Sequence, residues 1–347
     1  MVALGARAER AERSTGRRAV TRADLRGRRA LVTGGLGFIG SNLVHALVRA
    51  GASVVAFDSL DPACGGNRAN LDGANAEVVV ADIRSRDALA AAARGVDLVV
   101  NCAALTSHAG SMSDPRSYLE VNCVAVLTVL EAVRASAATP RFVQIGSSTQ
   151  VGAPLTGPVT EEHPEFPLDV YSATKSAAEK LALSYGRAFG IPVSVVRLAN
   201  VYGPRAKISD RMLGFINYFV GLALRDGELT VFGEGSQRRT ITYVDDVVDA
   251  IVRVATSDRC AGEVFFATAK GQCTVREAAE AIVRTIGRGR VRTEAWPADR
   301  AAIEVGDSVI SSAKITRYTG WAASVDLDEG LRRTADYFLP RLDRYLG

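Results

Sequence analysis

The chain has 347 residues, of which 48% are hydrophobic, enough for a sizeable buried core in one elaborate domain or two. No apolar run approaches the roughly 20 residues of a membrane span, and the N-terminus lacks the apolar stretch of a secretory signal, so a soluble cytoplasmic protein without a membrane partner is expected. The net charge of +4 sits in a tail, because residues 1–29 hold nine Arg against three acidic residues. That argues against a nucleic-acid partner for the folded part, and residues 1–27 read as an Arg-rich flexible extension. Five scattered cysteines with no CxxC pair exclude a disulfide framework and point to no metal site.

From Arg29 onward strand and helix signals alternate. The run "RALVTGG" is followed by the helical pattern "IGSNLVHALVRAG", then by "SVVAFD", "EVVVADI", "VDLVVNCAA", "RFVQIGSS" and "VSVVRLAN", with helical segments between most of them. These short β-branched runs lack an alternating polar face, as strands covered by helices on both sides do. The expected class is α/β, a doubly wound parallel sheet. Beyond Tyr202 the rhythm loosens, with two helices expected in the last 80 residues. The dinucleotide-binding domain is placed at 28–200, with 240–258 packing back on it, and a smaller α/β substrate domain at 201–347.

Directly after the first strand comes "TGGLGFIG", Thr33 to Gly40. Gly35, Gly37 and Gly40 satisfy GxGxxG: one glycine for a tight turn, one for close approach to a pyrophosphate, one for close helix packing. The second strand ends at Asp58, 18 residues past Gly40. A carboxylate there accepts hydrogen bonds from both ribose hydroxyls and repels a 2′-phosphate, which selects NAD over NADP. Asp82 and Ile83, ending the third strand, are placed to flank an adenine.

Tyr171 and Lys175 stand four residues apart at the start of an alanine-rich helix and so share one face. A nearby cation and a helix N-terminus both favour the phenolate, which makes the pair a candidate general base with a lowered phenol pKa. Lys175 is also expected to hold ribose hydroxyls. Ser147 and Ser148 end the fifth strand, where side chains reach the ligand crevice.

With these motifs in place, together with "EVNC" at 120–123, "RLANVYGPR" at 197–205 and "GSQRRTITYVDDVVDA" at 235–250, the chain resembles the extended short-chain dehydrogenases/reductases, specifically the NAD-dependent epimerase/dehydratase group acting on nucleotide sugars. The resemblance implies a Rossmann domain over roughly 28–340 together with its substrate domain, and a homodimer paired through residues 118–136 and 170–188. It implies Ser148, Tyr171 and Lys175 as catalytic residues. It adds Gly34, Phe38, Ile39, Ala103 and Ala104 to the cofactor site, and gives Asn200, Arg239 and Arg300 to the diphosphate of a nucleotide-diphosphate sugar.

The resemblance also orders the chemistries. A 4,6-dehydratase of this group carries an Asp-Glu pair just after the catalytic Ser/Thr, and those positions here read Thr149 and Gln150. Decarboxylating relatives use a Glu where Gln150 stands. An epimerase needs no further base, because the ketone only turns over and takes hydride back on its other face. Epimerisation at C4 is therefore expected, with dehydration, C2-epimerisation, keto-sugar reduction and a non-enzymatic dinucleotide sensor as alternatives. The chain departs from the group at Val151, Gly152 and Ala153, where an aromatic is usual, and in carrying His108 in the loop "LTSHAGSMSDPRSY".

Overall fold

The apolar strands between Arg29 and Leu198 lie side by side, and one strand from much later in the chain joins them. The computed structural model describes residues 24–62, 64–136, 139–297 and 306–346; most of the Arg-rich tail lies outside them. Strands β1 (Arg29–Thr33), β2 (Ser53–Asp58), β3 (Glu77–Val80), β4 (Leu98–Asn101), β5 (Arg141–Ser147), β6 (Val193–Leu198) and β10 (Val264–Ala267) form a seven-stranded sheet. Its order is β3-β2-β1-β4-β5-β6-β10, and every pairing is parallel. The chain leaves β1 toward β2 and β3, then returns to place β4 on the other side of β1. The ends of β1 and β4 therefore flank the topological switch point, where open α/β sheets bind ligands.

Alternate residues of each strand feed opposite layers. Val32, Val54, Ala56, Val100 and Val143 pack with the helices Phe38–Arg49 and Val244–Thr256. Leu31, Val55, Phe57, Val99 and Phe142 pack with Ala125–Arg134 and Val170–Phe189. Both strand faces are covered, so the runs are apolar without interruption, and each fully buried Val, Leu or Phe contributes roughly 1.5–3 kcal/mol.

The C-terminal part does not separate cleanly at residue 200. Strands β7 (Asn200–Tyr202), β9 (Arg238–Tyr243) and β11 (Gln272–Thr274) make a three-stranded sheet, and β8 (Glu228–Phe232) pairs with β12 (Arg290–Glu294). The helix Val244–Thr256 packs on the first layer, and β10 completes the central sheet. Asp246 explains the tie: its carboxylate accepts the Ser324 and Val325 amides at 3.1 and 3.0 Å, and its carbonyl accepts the indole N–H of the fully buried Trp321 at 2.9 Å. Three helices, Val275–Ile286, Ala313–Thr319 and Leu327–Phe338, occupy the last stretch rather than the two expected.

Candidate active site

The glycine loop turns as its sequence requires. Gly34 has φ +65°, and a Cβ on Gly40 would sit 2.0 Å from the Gly34 carbonyl oxygen, so only glycine lets the helix start this close to the strand end. Gly37 caps the helix Phe38–Arg49, and no side chain caps it, so its N-terminus offers backbone N–H groups to an anion. Gly35 packs behind the loop, where a Cβ would strike Ala56 at 2.8 Å, and serves the tight turn. Gly34, Gly37, Phe38, Ile39 and Gly40 do line the cleft, of about 850 Å³, together with Asp58, Asp82, Ile83, Ala103 and Ala104.

Asp58 is buried at the end of β2, where its Oδ2 accepts the Leu36 amide at 3.0 Å and its Oδ1 the Leu60 amide at 2.8 Å. The carboxylate is thus fixed by the glycine loop on one side and the following turn on the other. Each oxygen retains a lone pair for a further donor. A Cβ on Gly66 would lie 3.0 Å from Asp58 Oδ1, so the loop after β2 leaves room at the carboxylate that the sequence motif did not reveal. Asp82 pairs with Arg84 at 2.6 Å in an exposed ion pair, and Ile83 is buried against the core. A carboxylate-ended strand beside a glycine cradle and an uncapped helix start fits an adenine dinucleotide without a 2′-phosphate.

The other half of the cleft is built from side chains. Asp169 caps the helix Val170–Phe189 by accepting the Ser172 amide at 2.8 Å, which places Tyr171 and Lys175 in its first turns, both buried on the cleft side. The "EVNC" segment forms a π-helical turn, Glu120–Val124. Its Asn122 bonds both backbone groups of Leu105, at 2.8 and 2.9 Å, and donates to Thr174 Oγ1 at 3.2 Å. This clamps the loop after β4 against the Tyr171 helix.

The electrostatics differ from the expectation of a phenol lowered by Lys175. Burial pushes the Tyr171 phenol up to about 12, and a hydrogen bond with the Ser147 side chain only partly offsets it. Burial also pushes the Lys175 ammonium down to about 8. Both groups have lost water, and this desolvation is the largest cause of each shift. Ser147 and Ser148 both line the cleft together with Tyr171.

The two positions after Ser148 diverge. Thr149 lines the cleft, its Oγ1 2.8 Å from Ser147 Oγ and accepting from Ser172 Oγ at 2.9 Å. Gln150 is fully buried and faces away: its Oε1 accepts the Ser147 amide at 2.8 Å and its Nε2 donates to Glu179 at 3.1 Å. Glu179 in turn holds the buried Arg197 through bonds of 2.8 and 2.6 Å. Gly152 has φ +73°, and a Cβ there would lie 1.9 Å from the Phe166 carbonyl oxygen, so this backbone admits no aromatic ring at that position.

Of the sugar-nucleotide residues, Asn200 and Arg239 line the cleft, with the Asn200 amide also donating to the Thr240 carbonyl at 3.2 Å. Arg300 lies outside the described residues. Lys207, Asn217 and Ser308 line the same end and carried no motif that singled them out. Among the described residues no cluster of His, Cys, Asp or Glu is arranged to hold a metal ion, and no helix is long and apolar enough to cross a membrane.

The comparisons with known proteins agree with this geometry. Residues 30–265 match the model of the NAD dependent epimerase/dehydratase family. The chain is 32% identical to a UDP-glucose 4-epimerase of Mycolicibacterium smegmatis, over 89% of this chain and 98% of that one. It is 32% identical to a dTDP-glucose 4,6-dehydratase of Streptomyces niveus, over 89% and 92%. The fold superimposes with a TM-score of 0.81 on a dTDP-glucose 4,6-dehydratase from Streptomyces venezuelae solved with NAD and TYD bound, at 29% identity over 91% of this chain and 98% of that one. A match over most of the chain, on a cleft with this loop and this tyrosine helix, places the protein in the NAD-dependent epimerase/dehydratase family of extended short-chain dehydrogenases/reductases, with NAD as its cofactor.

Proposed function

We propose that the protein is an epimerase that inverts C4 of a nucleotide-diphosphate sugar. The observation that carries this reading is Gln150. At the position where dehydratases of the group place a Glu, this chain has an amide that faces away from the cleft and is committed to Ser147 and Glu179. Thr149, at the Asp position, is a hydroxyl that does not exchange protons at neutral pH. Expulsion of a C6 hydroxyl therefore lacks its usual acid, whereas inversion needs only the groups that are present.

In this reading bound NAD would supply a hydride acceptor and donor and a positive charge. Asp58 holds the adenosine ribose, the N-terminus of Phe38–Arg49 faces the pyrophosphate, and Lys175 holds the second ribose. Tyr171 takes the proton of the sugar hydroxyl as the hydride leaves and gives it back as the hydride returns. With the phenol at about 12, the phenolate needs further positive charge beyond what the chain supplies. Ser147 and Ser148 hydrogen-bond the reacting oxygen. Asn200 and Arg239 meet the sugar nucleotide's diphosphate.

A homodimer in the cytoplasm belongs to the same reading. Leu119 and Val124, on the first of the two segments expected at the two-fold axis, are half exposed; sedimentation as a monomer at micromolar concentration would refute it. The deciding experiment is incubation with a panel of UDP- and dTDP-sugars without added NAD, with products read by NMR. A C4 epimer is expected, and a 4-keto-6-deoxy product would replace this reading by dehydration.

A further inference from the structure

His108 is not used by the reaction above, yet it is held as firmly as the residues that are. It opens a short helix, His108–Ser113, and its carbonyl accepts the Ser111 hydroxyl at 2.7 Å. Its ring meets the Tyr171 ring edge-on, with centroids 4.9 Å apart. Its Nδ1 lies 2.7 Å from Asp169 Oδ2, and Asp169 is itself fixed by the Ser172 amide at 2.8 Å and the Ser172 hydroxyl at 3.2 Å. Through Ser172 and Thr149 the same carboxylate is linked to Ser147. His108 therefore belongs to a hydrogen-bonded assembly that shares the cleft with Tyr171 and packs against its ring.

The chemistry of the pair follows from its partners. Burial alone would raise the Asp169 carboxyl, but the hydrogen bonds it accepts from His108 and Ser172 help hold the group below its ordinary value. An ionised carboxylate only accepts, so Nδ1 carries the ring hydrogen, and Nε2 of the neutral imidazole carries the lone pair. The His108 side chain is 41% exposed, so its protons exchange with solvent, whereas Asp169 at 7% is enclosed. A buried carboxylate orienting a half-exposed imidazole is the arrangement of a general base, and this imidazole packs edge-on against the ring of the tyrosine that serves the hydroxyl.

We propose that His108, oriented by Asp169, is a second proton-transfer group of the cleft, removing and returning the hydrogen on a carbon beside a sugar ketone. The proposal rests on the nucleotide-sugar reading, because a ketone in the ring is what makes a neighbouring C–H acidic. The C–H bond breaks and its proton forms the Nε2–H bond, while its electron pair moves into the C–C bond and the carbonyl π electrons move onto oxygen as an enolate. The imidazolium exchanges its proton with water and returns one to the carbon as the carbonyl re-forms. Nothing is oxidised, reduced or expelled, so the missing Asp-Glu pair is not required.

The test supplies the ketone directly. The full-length protein is incubated in D2O with UDP-4-keto-6-deoxyglucose and with its dTDP counterpart. Binding is followed by saturation-transfer NMR, and deuterium uptake by proton NMR and mass spectrometry. The parent should incorporate deuterium beside the ketone, and His108→Asn, which keeps a donor toward Asp169 but has no basic nitrogen, should bind the nucleotide yet exchange about 10²-fold more slowly or worse. Should His108→Asn not fold, Asp169→Asn, which keeps a side chain suited to capping the helix, is expected to lose at least about tenfold. A bound ketone that does not exchange, or exchange unchanged in the variants, overturns this proposal alone. Failure of both nucleotides to bind overturns the nucleotide-sugar reading and this proposal with it.

Discussion

The two halves of the cleft are made of different material. The cofactor half consists of backbone and one carboxylate: Gly34 to Gly40, the start of the helix Phe38–Arg49, and Asp58, whose oxygens are already tied to Leu36 and Leu60. The sugar half consists of side chains from separate segments, joined by hydroxyl and carboxylate hydrogen bonds that run from His108 through Asp169, Ser172 and Thr149 to Ser147. Backbone sites depend on where glycine is allowed and change little with neighbouring side chains. Side-chain sites change with single substitutions, which is how one fold hosts several outcomes.

The largest expected effect breaks the sugar half alone. Tyr171→Phe removes the phenol oxygen and keeps the ring that packs on His108. Turnover should fall about 10²- to 10⁴-fold, with bound NAD and circular dichroism unchanged. Full activity in this variant would end the mechanism. The converse change is Asp58→Ala, which should weaken NAD binding by calorimetry about 10- to 100-fold, as loss of hydrogen bonds to a charged group does, and narrow the preference over NADP. Retained discrimination would remove Asp58 from the cofactor site.

Lys175 sharpens the comparison, because it stands where the halves meet and its burial is a cost. Its ammonium titrates at about 8 in the native state against 10.5 for an unperturbed lysine. Between those values the unfolded chain holds a proton that the native chain has released, so the Lys175 contribution to stability rises with pH across that window. Above pH 10 the raised Tyr171 phenol opposes it, since the unfolded tyrosine ionises first. Relative to Lys175→Met, the parent should gain about 2 kcal/mol between pH 8 and 10, measured by urea denaturation without added cofactor. Equal slopes would contradict the burial of this ammonium.

The smallest effect concerns the residue that separates the reaction classes. Gln150→Glu sets a carboxylate against the buried Glu179 and loses the donated hydrogen bond. A loss of about 1–2 kcal/mol is expected, shrinking as pH falls and the introduced carboxyl protonates, and no 4-keto-6-deoxy product should appear. Appearance of that product would mean that position 150 reaches the cleft in solution.

Local order in the chain determined the cofactor half. GxGxxG needs contiguous residues, Asp58 follows at the end of the next strand, and Tyr171 and Lys175 share a face through helix periodicity alone. The parallel sheet was equally legible, because covering both faces of a strand forces an uninterrupted apolar run. Tertiary structure alone decided the rest. β10 joins the central sheet although it lies far along the chain from β6, its Val264 pairing with Val195 without any local signal. Gln150 turns inward because Glu179, itself held by Arg197 from another strand, offers it a buried partner. His108 meets Asp169 across 61 positions of chain. Spacing along a helix or strand is a local property that a sequence displays, but side chains brought together by packing depend on every element between them, and their chemistry is set only where the fold removes the water.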